Sequence, residues 1–201
     1  MKYCCNTEEP EFREVSKIAI IGQQCSGKTT AANFIKQEFT VSETVKVADP
    51  LYCILSCLKQ DKNRLFMQEV ADLAKKHFGE LILVDILKEK IKSLETSYCC
   101  RGIYTGDVRI LIICDDIRRQ YEFDMMKELG FSFISIDASR EIRKARAERL
   151  GLAFIEDHNS ETEVPSLIDQ ADFIIKDDGI SQDKLKRHCY YYLRAIQADA
   201  P

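Results

Sequence analysis

The stretch IGQQCSGKTT, residues 21–30, sets two glycines, a lysine and a threonine at a spacing that grips a polyphosphate. Gly22 is followed by four residues and then Gly27, Lys28 and Thr29, which satisfies G-x-x-x-x-G-K-[ST] without substitution. The glycines let backbone N–H groups turn inward on the phosphates, and the helix that opens here adds its positive end. Lys28 is expected to bridge the β- and γ-phosphates of ATP, and the Thr29 hydroxyl to ligate Mg²⁺. Gly22, Gln23, Gln24, Cys25, Ser26, Gly27, Lys28, Thr29 and Thr30 are the candidate ATP contacts. A plain glycine-rich turn is the alternative, and the full motif between a strand and a helix argues against it.

A second chemical signal lies in ILIICDDIRR, where an apolar run ends in Asp115 and Asp116. A carboxylate at the C-terminal end of a parallel strand lies on the ligand face of the sheet. It can hold Mg²⁺ through water or orient an acceptor. Asp116 also precedes a helical pattern and could serve as its cap. Thr29 and Asp115 stand as the candidate metal ligands, with the division of roles between Asp115 and Asp116 open.

The third signal is SREIRKARAERLG, with Arg140, Arg143, Arg146 and Arg149. Three-residue steps turn about −60° on a helix, so the four cannot converge on one phosphate. Arg140 and Arg143 read as a solvated face partnered by Glu141 and Glu148. Arg146 and Arg149, beside the polar stretch 151–170, read as phosphate contacts. Neither D-x-x-G nor N-K-x-D occurs, which argues against a GTPase, and a motor or helicase would be longer. Cys25 raises redox control through a lowered thiol pKa, against the plainer reading of an inert filler.

Five apolar segments are expected to be the strands that carry these groups: 16–22, 43–49, 107–114, 130–137 and 171–176. Three are near-continuous Ile/Val runs, as in strands covered on both faces. Helical patterns occupy 27–39, a segment opened by Asp49 as cap with Pro50 in the first turn, 117–129 up to Gly130, and the stretch after Gly179. Alternating strands and helices predict an α/β fold with a mostly parallel sheet. About 58 residues separate the second and third strands, far more than one crossover helix requires, and they are themselves helical in pattern. The long polar loop after the Arg-rich helix is expected to be a lid.

The 201 residues suffice for one domain, and 45% hydrophobic with 31% charged residues is a globular composition. The net charge of −4 offers no global attraction to nucleic acid or anionic membrane. No apolar run reaches the roughly 20 residues of a membrane span, and the N-terminus reads as a short tail rather than a signal or transit peptide. Nine cysteines without a C-x-x-C pair suggest a reducing, cytoplasmic setting.

From about residue 17 to 187 the chain resembles the deoxynucleoside monophosphate kinases of the adenylate-kinase-like phosphate-loop group, whose cousins include dephospho-coenzyme A kinase and animal-type phosphomevalonate kinase. Beside the phosphate loop, the resemblance rests on VADP (47–50), RLFMQ (64–68), KKHFGE (75–80), DIRRQYE (116–122), HNSETE (158–163) and ADFIIKDDG (171–179). Asp177 replaces the family's Asn in the last turn, Lys75 an Arg, and Arg119 and Tyr121 a Phe and an Asn.

The resemblance implies a five-stranded phosphate-loop kinase fold and a single domain, with a tail at 1–15, a core of 16–48 and 106–201, an acceptor-binding insertion at 49–105 and a lid at 146–165. It implies ATP and Mg²⁺, with Lys28, Asp116, Arg118 and Arg146 catalytic and Arg146, Arg149, Asp178 and Gly179 on ATP. Asp49, Arg64, Gln68, Lys75, Asp116, Arg118 and Glu122 would face the acceptor, although an exposed helix surface is the plainer reading of Arg64 and Gln68. The expected reaction is phosphoryl transfer to a (deoxy)nucleoside monophosphate. Its rivals are a kinase for another phosphorylated small molecule and a non-catalytic nucleotide switch. The expected partners are small-molecule nucleotides, not nucleic acid or membrane, with a homodimer allowed.

Overall fold

The computed structural model describes residues 15–61, 63–100, 109–152, 154 and 162–198. Five parallel strands form one sheet: β1 (Val15–Ile21), β2 (Val41–Val45), β3 (Ile110–Cys114), β4 (Ser132–Ala138) and β5 (Phe173–Asp177), in the order β2-β3-β1-β4-β5. Around them lie α1 (Lys28–Lys36), α2 (Asp49–Cys57), α3 (Arg64–Phe78), α4 (Ile82–Cys100), α5 (Gln120–Glu128), α6 (Arg140–Arg149), α7 (Val164–Ile168) and α8 (Gln182–Ala198). This is the α/β class expected. The N-terminal tail to residue 14, segment 101–108 and residues 155–161 of the expected lid lie outside the described residues.

β3 is apolar at every position, and β1 from Ile18 onward, because both faces are covered there. Ile18 and Ile20 of β1 pack with Leu111 and Ile113 of β3 against α1 and α8, through Ala31, Ile35, Leu185 and Tyr192. Ala19 and Ile21 pack with Ile112 and Cys114 on the opposite face, against Leu51, Leu87, Ile91, Phe123 and Leu167. All of these are buried to 7% exposure or less. Alternate residues of a strand face opposite sides, so a doubly covered strand needs an apolar residue at each step.

Among the boundaries that differ from expectation, three have a side-chain cause. The second strand was expected at 43–49 but ends at Val45, whose register partner is Cys114. Beyond it the backbone turns, because side-chain carboxylates capture its N–H groups: Asp49 Oδ2 accepts from Lys46 N at 3.1 Å, and Asp116 Oδ1 and Oδ2 accept from Val47 N and Ala48 N at 3.2 and 3.3 Å. Asp49 is therefore the first helical residue rather than the cap, which is Ala48. The helix expected from 117 begins only at Gln120, since the buried Glu122 carboxylate accepts from Arg118 N and Arg119 N at 2.7 and 3.1 Å. That bracket holds the chain after β3 non-helical across the C-terminal edge of the sheet. Asp116 is no helix cap.

The region between β2 and β3 contributes three helices, α2 to α4, stacked on the β2 side. Its exposed surface carries Ile54, Leu58, Leu65, Leu73, Phe78, Leu81 and Ile86.

Candidate active site

β1 delivers the chain to the C-terminal edge of the sheet, and α1 carries it away from Lys28. The turn between is tight at both glycines. A Cβ on Gly22 would lie 2.5 Å from Ser26 Oγ and 2.7 Å from the backbone oxygen of Ile136, so only glycine allows this approach. Gly27 has φ +107°, a conformation L side chains rarely adopt. Lys28 Nζ donates to the backbone oxygens of Gly22 and Gln23, the latter at 2.7 Å. Burial pulls the Lys28 pKa down to about 7, and the Arg118 guanidinium pushes the same way. Ser26 Oγ is buried with no hydrogen-bond partner among the described residues. An ammonium held away from water beside an unpaired hydroxyl is a site that an anion would complete.

The strand ends add the carboxylates. Thr29 Oγ1 donates to Asp115 Oδ2 at 3.4 Å, while Asp115 Oδ1 is buried without a hydrogen bond and faces the Lys46 ammonium at 3.3 Å. Burial lowers the Lys46 pKa, but the Asp115 and Asp116 charges outweigh it and hold the group above the usual lysine value. Thr29 and Asp115 fit Mg²⁺, which takes few protein ligands and completes its shell with water and phosphate oxygens. No group of three or more His, Cys, Asp or Glu among the described residues could hold a metal alone. The Asp116 carboxylate brackets the β2–α2 turn and also accepts from Cys114 Sγ at 3.2 Å; burial raises its pKa despite these bonds.

The arginines of α6 divide differently from the sequence reading. Arg143, expected on a solvated face, is only 5% exposed; its Nε donates to the Ala138 oxygen at 3.2 Å, and the guanidinium lies 5.4 Å from the Phe154 ring centroid. The helix turns this position toward β4, not toward solvent. Arg146 donates through Nη1 to Ser26 O at 3.0 Å and through Nη2 to Asp177 Oδ2 at 2.8 Å. It ties the helix to the phosphate loop and to the end of β5. Asp177, 1% exposed, also accepts from Gly179 N and Ile180 N at 3.1 Å. Asp178 is exposed and stands outside the wall formed by Asp177 and Gly179.

These groups open onto one cavity of about 1020 Å³. Gln24 to Thr30, Asp115, Asp116, Arg118, Arg146, Arg149 and Gly179 line it, joined by Lys46, Tyr52 and Asp177. Gly22 and Gln23 sit behind the wall. The expected acceptor residues are not all assembled. Asp116 and Arg118 face the cavity, but Asp49, Gln68, Lys75 and Glu122 do not line it. Asp49 Oδ2 is paired with Lys90 Nζ at 2.6 Å, Lys75 lies in the last turn of α3, and Glu122 is spent on backbone N–H groups. The side chain of Arg64 and residues 158–161 of HNSETE lie outside the described residues. Glu163, which ends that stretch, accepts from Arg119 Nη1 and Gln120 N at 2.8 Å each, and these bonds hold its pKa below the usual carboxylate value.

Lys46 is a cavity-lining group the sequence reading missed, whereas Arg143, read there as solvated, is buried outside the cavity wall. The signal for Lys46 is register: Val45 pairs with Cys114, so the next residues, Lys46 and Asp115, emerge side by side. Only a known strand pairing makes that legible.

No family model matches the chain, and no curated protein matches it significantly. Solved structures do. An unliganded sugar kinase from Janibacter sp. HTCC2649 superposes with a TM-score of 0.55 at 14% identity, over 94% of this chain and 99% of that one. The tunicamycin resistance protein of Deinococcus radiodurans gives 0.57 at 13%, over 90% and 96%. An APS kinase from Mycobacterium tuberculosis, in complex with AMPPNP and APS, gives 0.54 at 11%, over 90% and 99%. At such identities the likeness speaks for the fold alone: a five-stranded parallel sheet flanked by helices, shared with the sugar kinase and the APS kinase.

Proposed function

We infer that the chain is an ATP-dependent kinase that transfers the γ-phosphoryl group to the phosphate of a (deoxy)nucleoside monophosphate. One observation carries the reading: the phosphate loop, Asp115, Asp116, Arg118 and the α6 arginines Arg146 and Arg149 all open onto the same cavity. At about 1020 Å³ it matches the upper end of ligand pockets, which run from about 300 to 1,000 Å³, and has room for a donor and an acceptor together. The sugar kinase and the APS kinase support phosphoryl transfer on this fold; their acceptors differ, so the acceptor class rests on the sequence resemblance.

In this reading the bond from the γ-phosphorus to the ADP oxygen breaks as a bond to an acceptor phosphate oxygen forms, with no covalent enzyme intermediate. Two polyanions repel, so the protein must hold them in line and neutralise charge away from water. Lys28 supplies a cation on the donor phosphates, Arg118 one between donor and acceptor, and Arg146 fixes α6 against the loop. Thr29 and Asp115 would hold Mg²⁺, which would supply further positive charge against the donor phosphates. A second reading, a kinase for another phosphorylated small molecule, is favoured by the position of Asp49, Gln68 and Lys75 outside the wall.

The deciding experiment measures ADP release from ATP with each ribo- and deoxynucleoside monophosphate, and thermal shift alongside. Acceptor-dependent release with at least one of them is expected, and Lys28→Met should lower it about 10²–10⁴-fold. Stabilisation by ATP with no acceptor-dependent release would reduce the protein to a nucleotide-binding module.

A further inference from the structure

Asp115 is asked to do two things at once. Its buried Oδ1 faces the Lys46 ammonium at 3.3 Å, while its Oδ2 takes the Thr29 hydroxyl at 3.4 Å, the hydroxyl that a phosphate loop turns toward its metal. The ammonium and a divalent ion therefore compete for the same carboxylate. Lys46 is 35% exposed and lines the cavity; it follows β2, at the opposite edge of the sheet from β5. Its position is imposed by the sheet, since Val45 pairs with Cys114 and the next residues in each strand emerge together. Its backbone is also fixed, because Lys46 N donates to Asp49 Oδ2. The side chain alone can move.

We propose that Lys46 is a relay between the metal and acceptor subsites: it neutralises Asp115 in the empty protein, yields that carboxylate to the metal of Mg·ATP, and then binds the acceptor's phosphate. This rests on the kinase reading above. Two like charges cannot share Asp115 without loss, so the displaced ammonium seeks another anion, and the acceptor phosphate supplies one. The acceptor and the metal then favour each other's binding by the same factor, as linkage requires. Cooperative assembly follows: the acceptor is held best when the donor and its metal are also in place.

The test measures Mn²⁺ affinity of the AMPPNP-bound protein by electron paramagnetic resonance, with and without the monophosphate that turns over best. In the wild type the monophosphate should tighten Mn²⁺ at least about fivefold. Lys46→Gln should bind Mn²⁺ several-fold more tightly than wild type without acceptor, and the acceptor should add nothing further. Lys46→Arg, which keeps the charge, should retain coupling and covers the case in which the glutamine variant does not fold. Equal Mn²⁺ affinity in wild type and Lys46→Gln without acceptor would overturn the relay, as would coupling that persists in the variant. The acceptor-free comparison needs only AMPPNP and metal, so a protein that turns over no monophosphate would sink the kinase reading while the Lys46–metal competition was still being measured.

Discussion

The two halves of the cavity are built differently. On the donor side the charged groups nearest the loop are tethered: Lys28 to two loop oxygens, Arg146 to Ser26 and Asp177, Asp177 to two backbone N–H groups. The scaffold there is β1, β4 and β5, whose inward residues are almost wholly buried. On the acceptor side the wall comes from the β2–α2 turn and from the chain after β3, and the helices behind it, α2 to α4, expose a run of large apolar residues. A preordered charge site lowers reorganisation during phosphoryl transfer. A wall on a turn and a connecting segment can instead be exchanged to suit different acceptors. Under the proposed reading, the donor would be recognised by backbone geometry and the acceptor by groups carried on the β2–α2 turn and the chain after β3.

The hardest blow to that division would come from Arg118 and Lys75. Arg118 lines the cavity and acts electrically on Lys28; Lys75 does neither. Arg118→Ala should lower kcat/KM by about 10²–10³-fold, the cost of removing one preorganised charge donor. Lys75→Ala should stay within about threefold of wild type, as expected of a surface change. Steady-state kinetics on both variants decides it. A large loss at Lys75 with little at Arg118 would mean that α3 swings in to form the acceptor wall.

Glu122 sharpens the same line. The sequence resemblance put it on the acceptor, whereas the structure uses it as a buried bracket for Arg118 and Arg119 N–H groups. Burial raises its pKa from 4.5 to about 7. The folded state thus keeps a proton that the unfolded chain releases between those values. The stabilisation is full below about pH 4.5 and is lost as pH rises through about 7, a total of about 3 kcal/mol. Chemical denaturation of wild type and Glu122→Gln across pH 4.5–7.5 should show this slope only in the wild type. Parallel slopes would return Glu122 to an exposed, substrate-facing role.

What was legible in the sequence follows from how local each feature is. The loop at 22–29 needs only a strand, a turn and a helix in succession, so its residues announce it. The strands stood out as short apolar runs, most clearly where both faces are covered, as in Ile110 to Ile113. The end of β2 was not, because it is set by Asp116, 69 residues on from Val47 in the chain, capturing two N–H groups. Arg143 was misjudged because helical spacing gives relative directions but not which face meets β4. The acceptor wall was the least legible. Asp49, Gln68 and Lys75 lie on helices whose orientation depends on packing between elements far apart in sequence, and a short motif carries no record of it.

Lys28 allows the finest test of donor-side preordering, because its pKa of about 7 records how completely the empty loop is shielded from water and crowded by Arg118. A bound diphosphate places negative charge beside the ammonium and must raise that pKa. Binding then takes up a proton wherever pH exceeds about 7: affinity is greatest below that point and weakens above it, by up to about tenfold per pH unit. Calorimetry with ADP at pH 8, where ADP is itself fully ionised, in buffers of different ionisation enthalpy should count close to one proton taken up per site. Lys28→Arg should abolish the uptake, because a guanidinium stays protonated throughout this range. If the wild type takes up no proton, the ammonium is already hydrated and charged in the empty loop. The donor side would then be assembled by its ligand, and the contrast between the two halves would vanish.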